Sequence, residues 1–418
     1  MKRDGRLPAG AAVMRRLDAL AGFTETPGQL TRLYLTPQHK AAALQVRVWM
    51  EEAGMSARMD AVGNIVGRYE GEEPNAPALL VGSHIDTVRD AGKYDGNLGV
   101  VAAIQAVAEL HARRVRLPYA IEVLAFGDEE GVRFPVTLTG SRTVAGVLDV
   151  AALDAEDADR ISVREALQRF GCNPFEIPDV PRRKEDVLGY VEVHIEQGPV
   201  LEAEDLPVGV VTAINGASRF TIDVAGVAGH AGTVPMNLRR DALTAASEMV
   251  LAIERTARET ADLVATVGRM EALPGAVNVI PSGARFTLDI RSPSDAVRNA
   301  AVARLEREFR ESAQRRNVMV QFKRSYDEVA VICAGWLIEQ LEGAVARCGV
   351  RPLRLPSGAG HDGLAMAALC PIAMLFVRCK GGISHNPAES IDEEDADVAV
   401  RVLLDFLHHL EPAETQSP

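Results

Sequence analysis

Four short apolar runs each end in residues that can bind a metal or move a proton. "ALLVGSHIDTV" places His84 after a run of aliphatic residues and Asp86 two positions later, and Asp95 follows in "KYDG". "IEVLAFGDEEG" ends in Glu129 and Glu130, "YVEVHIEQG" delivers His194, and "PIAMLFVRCKGGISHNPAE" delivers His385. Singly, each has an ordinary reading: a hydrogen-bonded loop histidine, a solvated glutamate pair, a turn aspartate before glycine. Jointly they form a nitrogen and oxygen donor set without sulfur, which suits Zn²⁺, Mn²⁺, Co²⁺ or Ni²⁺. Three imidazoles, Asp95 and one glutamate are too few ligands for two ions unless a carboxylate bridges. Asp95 is the natural bridge, because a carboxylate has two oxygens where imidazole offers one usable nitrogen. The remaining glutamate is then free as a general base toward an activated water. Asp86 is spaced to accept the second N–H of His84 and fix its tautomer.

Such residues need a scaffold that brings the ends of several strands to one edge. "HKAAALQVRVWMEEAG" has helical spacing and stops at glycine, and "LGVVAAIQAVAELHARR" is an apolar helix ending in basic residues that suit the helix dipole. These helices alternate with the strands "ALLVGSH" and "YAIEVLAF", which predicts βαβ units and a parallel sheet covered on both faces. In an open sheet of this kind ligands bind beyond the carboxyl ends of the strands. Residues 151–188 are polar and proline-dotted with one helix, and read as an insertion. From about residue 213 the rhythm changes to strand, helix, strand, strand, helix, strand, the pattern of a small ferredoxin-like unit. Its helices are expected over 239–259 and 294–316, with Arg240 just inside the first. The chain is therefore expected to be α/β: one catalytic domain of residues 1–212 and 332–418, with an α+β domain inserted at 213–331.

With 418 residues, 47% hydrophobic and 25% charged, the chain can bury a sizeable core. The net charge of −13 argues against a nucleic-acid surface or a polybasic membrane contact, though not against an anionic substrate in a local pocket. Five cysteines without CxxC spacing point to reduced, mostly buried thiols and a cytoplasmic protein. The opening "MKRDGRLPAGAAVMRRLDAL" alternates like an amphipathic helix and does not read as a signal peptide.

The motifs "GSHIDTV", "KYDG", "GDEEGVRF", "VEVHIEQGPVLE", "GHAGTVPMNLRRDAL", "GAVNVIPSGARFTLDIR", "SGAGHDG" and "GISHNPAE" run in order from about residue 20 to 410. The chain resembles the amidase, hydantoinase/carbamoylase family of dinuclear-metal amidohydrolases, a branch of the aminoacylase and carboxypeptidase clan. The resemblance implies a metal-dependent exopeptidase-like catalytic domain and an inserted lid that carries a homodimer contact. It implies two divalent ions per subunit, zinc or manganese, with cobalt or nickel as alternatives. His84, Asp95 and His194 would hold one ion, and Asp95, Glu130 and His385 the other, with Glu129 as general base. His230 would stabilise the oxyanion, Asn278 and Arg291 would bind the substrate carboxylate, and Gln197 the ureido end. His361 is placed with the substrate-binding group without a defined role, as Arg240 is without any. The implied reaction is hydrolysis of a terminal carbamoyl group, with allantoate as substrate and ureidoglycine, ammonia and CO₂ as products, within purine catabolism. N-carbamoyl-L-amino acid or β-ureido acid hydrolysis is the close alternative, and aminoacylase or dipeptidase activity a more distant one. In "TVRDAGKY", Arg89 and Tyr94 are expected to bear on substrate preference.

Overall fold

The computed structural model describes residues 8–412. The first seven residues, where the signal-peptide reading begins, and 413–418 lie outside them. Among the described residues no helix is long and apolar enough to cross a membrane, and the five cysteines are unpaired.

The chain divides into two compact units. One takes in the described residues up to Thr212, Ile332–Leu355 and those from Ala359 onward; the other is Ala213–Val331 with Pro356–Gly358. In the larger unit four parallel strands lie side by side in the order Ala120–Phe126, Ala78–His84, Val187–Ile195 and Ile372–Val377. The first two are buried at every position, as continuous apolar runs inside a parallel sheet should be. The sheet is mixed where the sequence predicts parallel pairing alone. Ile65–Tyr69 and Ser56–Met59 extend one side antiparallel, and Val208–Ile214 pairs antiparallel with Ile372–Val377 on the other. The short link "DAVGN" between Ser56–Met59 and Ile65–Tyr69 leaves room only for a hairpin, not a crossover.

Helices Ala9–Ala21, Asn97–Ala112, Gly335–Arg347 and Glu393–His409 pack on one another. Asn97–Ala112 lies close on the sheet, where a Cβ at Gly99 would meet the Val193 carbonyl oxygen at 2.1 Å. The 151–188 segment holds the one expected α-helix, Val163–Phe170, capped by Ser162 and stopped by Gly171 at φ 96°.

Helix Pro37–Glu52 buries His39 completely between the rings of Tyr34 and Phe170, at centroid distances of 5.6 and 5.4 Å. Its Nδ1 accepts the Leu35 N–H at 3.3 Å. Burial, then Arg32 and Arg133, press the imidazole down to about 3. The unfolded chain, with an ordinary histidine near 6.5, therefore takes up the proton first as pH falls. This contribution is fully present above about 6.5 and is lost between there and about 3, at about 1.4 kcal/mol per pH unit. Between pH 7 and pH 5 the wild type should lose about 2 kcal/mol more than His39→Gln in urea unfolding under chelator. Equal losses in the two proteins would show that His39 is not held neutral.

In the smaller unit Gly216–Ala225 is flanked by Gly283–Ser292 and Met319–Glu328, all antiparallel. Helices Ala242–Glu259 and Asp295–Arg316 set Met249, Ile253, Leu305 and Phe309 against Ile222, Phe286 and Leu288. The second strand expected of this unit is two pieces, Val264–Thr266 and Met270–Leu273, along one edge of Gly283–Ser292. At the break Thr287 bonds to Arg269 through both its main chain and its hydroxyl. The first helix starts at Ala242, not 239, because the Asp241 carboxylate caps it by accepting from Thr244 N–H. Arg240 is thus outside the helix.

Candidate metal centre

The parallel strands carry the expected donors to a common edge. His84 is the last residue of its strand, His194 the second last of Val187–Ile195, Glu129 and Glu130 follow Phe126 closely, and His385 follows Val377. Asp95 is central. Its Oδ1 is 3.4 Å from His84 Nε2 and 3.1 Å from His194 Nε2, while its Oδ2 is 3.4 Å from His385 Nε2. Glu130 Oε2 is 3.6 Å from the same His385 nitrogen, and Glu129 Oε2 is 3.8 Å from His84 Nε2. Among the described residues four sets of donors lie close enough to share an ion; two of them, His84–Asp95–His194 and Asp95–Glu130–His385, have Asp95 in common, and the others are His84–Glu129–Glu130 and Glu192–His194–His361.

Two of the three imidazoles are turned by their other nitrogen. His194 Nδ1 bonds to the Ile195 carbonyl at 2.9 Å, and His84 Nδ1 to the Asp86 carbonyl at 3.0 Å. In both cases Nε2 is left facing Asp95. The sequence reading gave the His84 bond to the Asp86 carboxylate, which lies farther off at 3.8 Å. That carboxylate instead accepts the N–H groups of Glu129 and Glu130, each at 3.2 Å, and so seats the glutamate turn. The peptide oxygen wins because it lies on the same turn as His84, while the side chain reaches across to the neighbouring strand end.

The local backbone is unusual where it needs to be. Asp128, Gln197 and His385 have φ of 70°, 57° and 54°, each a non-glycine residue in the left-handed region. Gly96 has φ 63°, and a Cβ there would meet the His84 ring at 2.4 Å. Only glycine lets Asp95 approach that closely.

Electrostatically the cluster is short of positive charge. Burial, then Asp95, push the Glu130 carboxyl up to about 7, and burial first, then Glu130, raise Glu129 well above the ordinary range. Burial alone would raise Asp95 too, but the three imidazoles around it hold it well below. Glu130 Oε1 is buried with no hydrogen-bond partner. A buried, orphaned carboxylate oxygen among nitrogen and oxygen donors fits divalent cations.

Other expected site residues fall in several places. Gln197 reaches the centre, its Nε2 donating to Asp95 Oδ2 at 2.7 Å. His361 is buried against the His194 ring, with centroids 4.4 Å apart. Tyr94 is buried, while Arg89 is exposed. The smaller unit holds the remaining three. His230 pairs with Val279 across a two-residue ladder, and the Asn278 carbonyl accepts the Ala231 N–H at 3.0 Å, so His230 and Asn278 are neighbours. His230 Nδ1 accepts from Gly232 N–H at 3.1 Å, which leaves its Nε2 as the N–H donor. Arg291 spends Nε and Nη2 on the Asp289 carboxylate, at 2.7 and 3.0 Å, and Nη1 on the Gly358 carbonyl.

Sequence reasoning missed two supports. Glu389 is buried and its Oε1 accepts the N–H groups of Tyr94 and Asp95 at 2.8 and 3.0 Å. Ser384 Oγ donates to Asp95 Oδ2 at 2.8 Å. Both flank His385 in "GISHNPAES", and an acid four residues from a candidate ligand was the available signal.

A mixed sheet with a carboxylate shared between two imidazole groups is the frame of a metal-dependent hydrolase. Residues 80–409 match the model of peptidase family M20/M25/M40. The N-carbamoyl-L-amino acid amidohydrolase of Geobacillus stearothermophilus is 41% identical over 97% of this chain and 99% of its own. The allantoate deiminase of Arabidopsis thaliana is 40% identical over 94% of this chain and 81% of its own. The crystal structure of an amidase of the hydantoinase/carbamoylase family from Burkholderia multivorans superposes with a TM-score of 0.91, at 34% identity, over 96% of this chain and 97% of that one. The chain belongs to peptidase family M20/M25/M40 and, within it, to the hydantoinase/carbamoylase amidases.

Proposed function

We propose that this chain is a metal-dependent amidohydrolase that removes the terminal carbamoyl group of a small ureido carboxylate, with allantoate as its substrate. The observation that carries the reading is the two-sided Asp95 carboxylate, with imidazoles on each oxygen and Glu129 beside them. His84, Asp95 and His194 hold one divalent ion, and Asp95, Glu130 and His385 the other. When bound, the ions supply Lewis acidity toward water and the scissile carbonyl. Glu129 takes a proton from the attacking water and returns it to the leaving nitrogen. His230, with Nδ1 tied to the Gly232 N–H, offers its Nε2–H to the developing oxyanion. Gln197 Oε1, buried without a partner, is an acceptor suited to a ureido N–H, and Asn278 and Arg291 take the carboxylate, Arg291 with the two N–H groups that Asp289 and Gly358 do not use. One water added to R–NH–CO–NH₂ yields R–NH₂, NH₃ and CO₂.

The second reading is hydrolysis of N-carbamoyl-L-amino acids, which the Geobacillus relative's name favours. A homodimer through the 213–331 unit and a cytoplasmic place in purine catabolism belong to the same proposal. The exposed Leu251 and Val277 of that unit support the former. The deciding assay offers the purified protein, reconstituted with Mn²⁺ or Zn²⁺, allantoate, N-carbamoyl-L-amino acids and dipeptides. Allantoate should be turned over fastest, and chelation should abolish the activity. Turnover of dipeptides alone, or full activity under chelator, would overturn the reading.

A further inference from the structure

Arg32 is fully buried and its guanidinium reaches three separate segments. Nε donates to the Ile85 carbonyl at 2.7 Å, Nη1 to the carbonyls of Leu20 and Phe23 at 2.7 and 3.3 Å, and Nη2 to Asn97 Oδ1 at 2.5 Å. The Asn97 amide in turn donates to the Asp95 carbonyl at 2.9 Å. The Arg32 main chain pairs with Thr87 in both directions, its N–H on Thr87 Oγ1 at 2.9 Å and its carbonyl on Thr87 N–H at 3.1 Å. Ile85 sits between His84 and Asp86, and Asn97 is two residues past Asp95.

A guanidinium whose acceptors are three carbonyls and one amide, none a carboxylate, is a costly group to bury. An apolar side chain would fill the same space without that cost. What arginine alone supplies is a planar fork of five donors that can grip several acceptors at once in fixed geometry. Here the fork grips the turn after His84 and, through Asn97, the turn that carries Asp95. Asp95 Oδ1 must stay near both His84 Nε2 and His194 Nε2, so slack between those two turns falls directly on the donor geometry.

We infer that Arg32 is a positioning residue that locks the 84–87 turn to the 95–97 turn and thereby sets the affinity of the centre for divalent ions. The inference rests on the metal reading above. It is tested on the full-length chain, stripped of metal, by competition with a chelating indicator for Mn²⁺ and by peptide-level hydrogen exchange without metal. Arg32→Lys keeps the charge and loses the fork, and should bind Mn²⁺ roughly 10- to 100-fold more weakly, as loss of a ligand's supporting partner typically does. Asn97→Ala should weaken it comparably, and the double variant should add little to the worse single one, since both cut the same link. Exchange should quicken across 84–98 in Arg32→Lys and stay unchanged across 242–259. Arg298→Lys, which alters another fully buried arginine but in the smaller unit, should leave Mn²⁺ affinity unchanged. A folded Arg32→Lys protein with wild-type exchange across 84–98 and affinity within about twofold of wild type would overturn the inference. Should that variant not fold, Asn97→Ala decides by the same two readouts. If the unaltered protein binds no Mn²⁺, the metal reading fails, and the exchange comparison still decides whether Arg32 joins the two turns.

Discussion

Glu129→Gln should retain both divalent ions and lose about a thousandfold in kcat, with little change in KM. Glutamine keeps the size and the main-chain bonds to Asp86 that seat this turn, so the donor set is undisturbed. What disappears is the group that takes and returns a proton, an effect usually worth about 10²- to 10⁴-fold. A loss in kcat and kcat/KM together, with unchanged metal content, marks an interaction made in the transition state. Near-normal kcat would remove Glu129 as the base, and loss of an ion would recast it as a ligand.

Asp95→Ala has the broader consequence. One side chain faces imidazoles with each of its oxygens, so its removal leaves both donor groups incomplete. Metal analysis after gel filtration should find neither ion held stoichiometrically, and turnover should fall by at least about 10³-fold. Glu130→Gln is the informative comparison, because Glu130 joins only one of the two groups that contain Asp95 and should cost one ion. Two ions retained by Asp95→Ala would mean that Asp95 is not shared.

The elements and the donors were legible because each left a local mark. A buried parallel strand reads as an unbroken apolar run, and a polar residue straight after one stands out. His84, Glu130 and His194 were singled out that way, His385 by following a strand and a glycine pair, and Asp95 by its place in a glycine turn. What stayed hidden depends on partners distant in sequence. Nothing around Asp86 says that its carboxylate turns to the Glu129–Glu130 amides rather than to His84. Nothing around Arg32 says that it is buried, since an isolated arginine in "QLTRLYL" reads as surface. Nothing around Gln197 says that its Nε2 is spent on Asp95 and Ser384, which leaves its Oε1 as the atom for substrate. The strand break at 267–269 is equally a matter of pairing: only the neighbouring Thr287 shows how the gap is bridged. The antiparallel edges went unread for a different reason, because short strands carry too few positions to reveal their direction.

The left-handed backbone at Asp128, Gln197 and His385 bears on how portable this chemistry is. A non-glycine residue held in that region costs of order 1–3 kcal/mol, and three of the loops that supply the centre each contain one. Their shapes are therefore imposed from outside, by the strands they leave and by contacts such as Glu389 on the Tyr94–Asp95 peptides. Excised as peptides, these loops should relax to other conformations. Transplanted onto a foreign sheet with their histidines and carboxylates intact, they should bind metal poorly until the bracing residues travel with them.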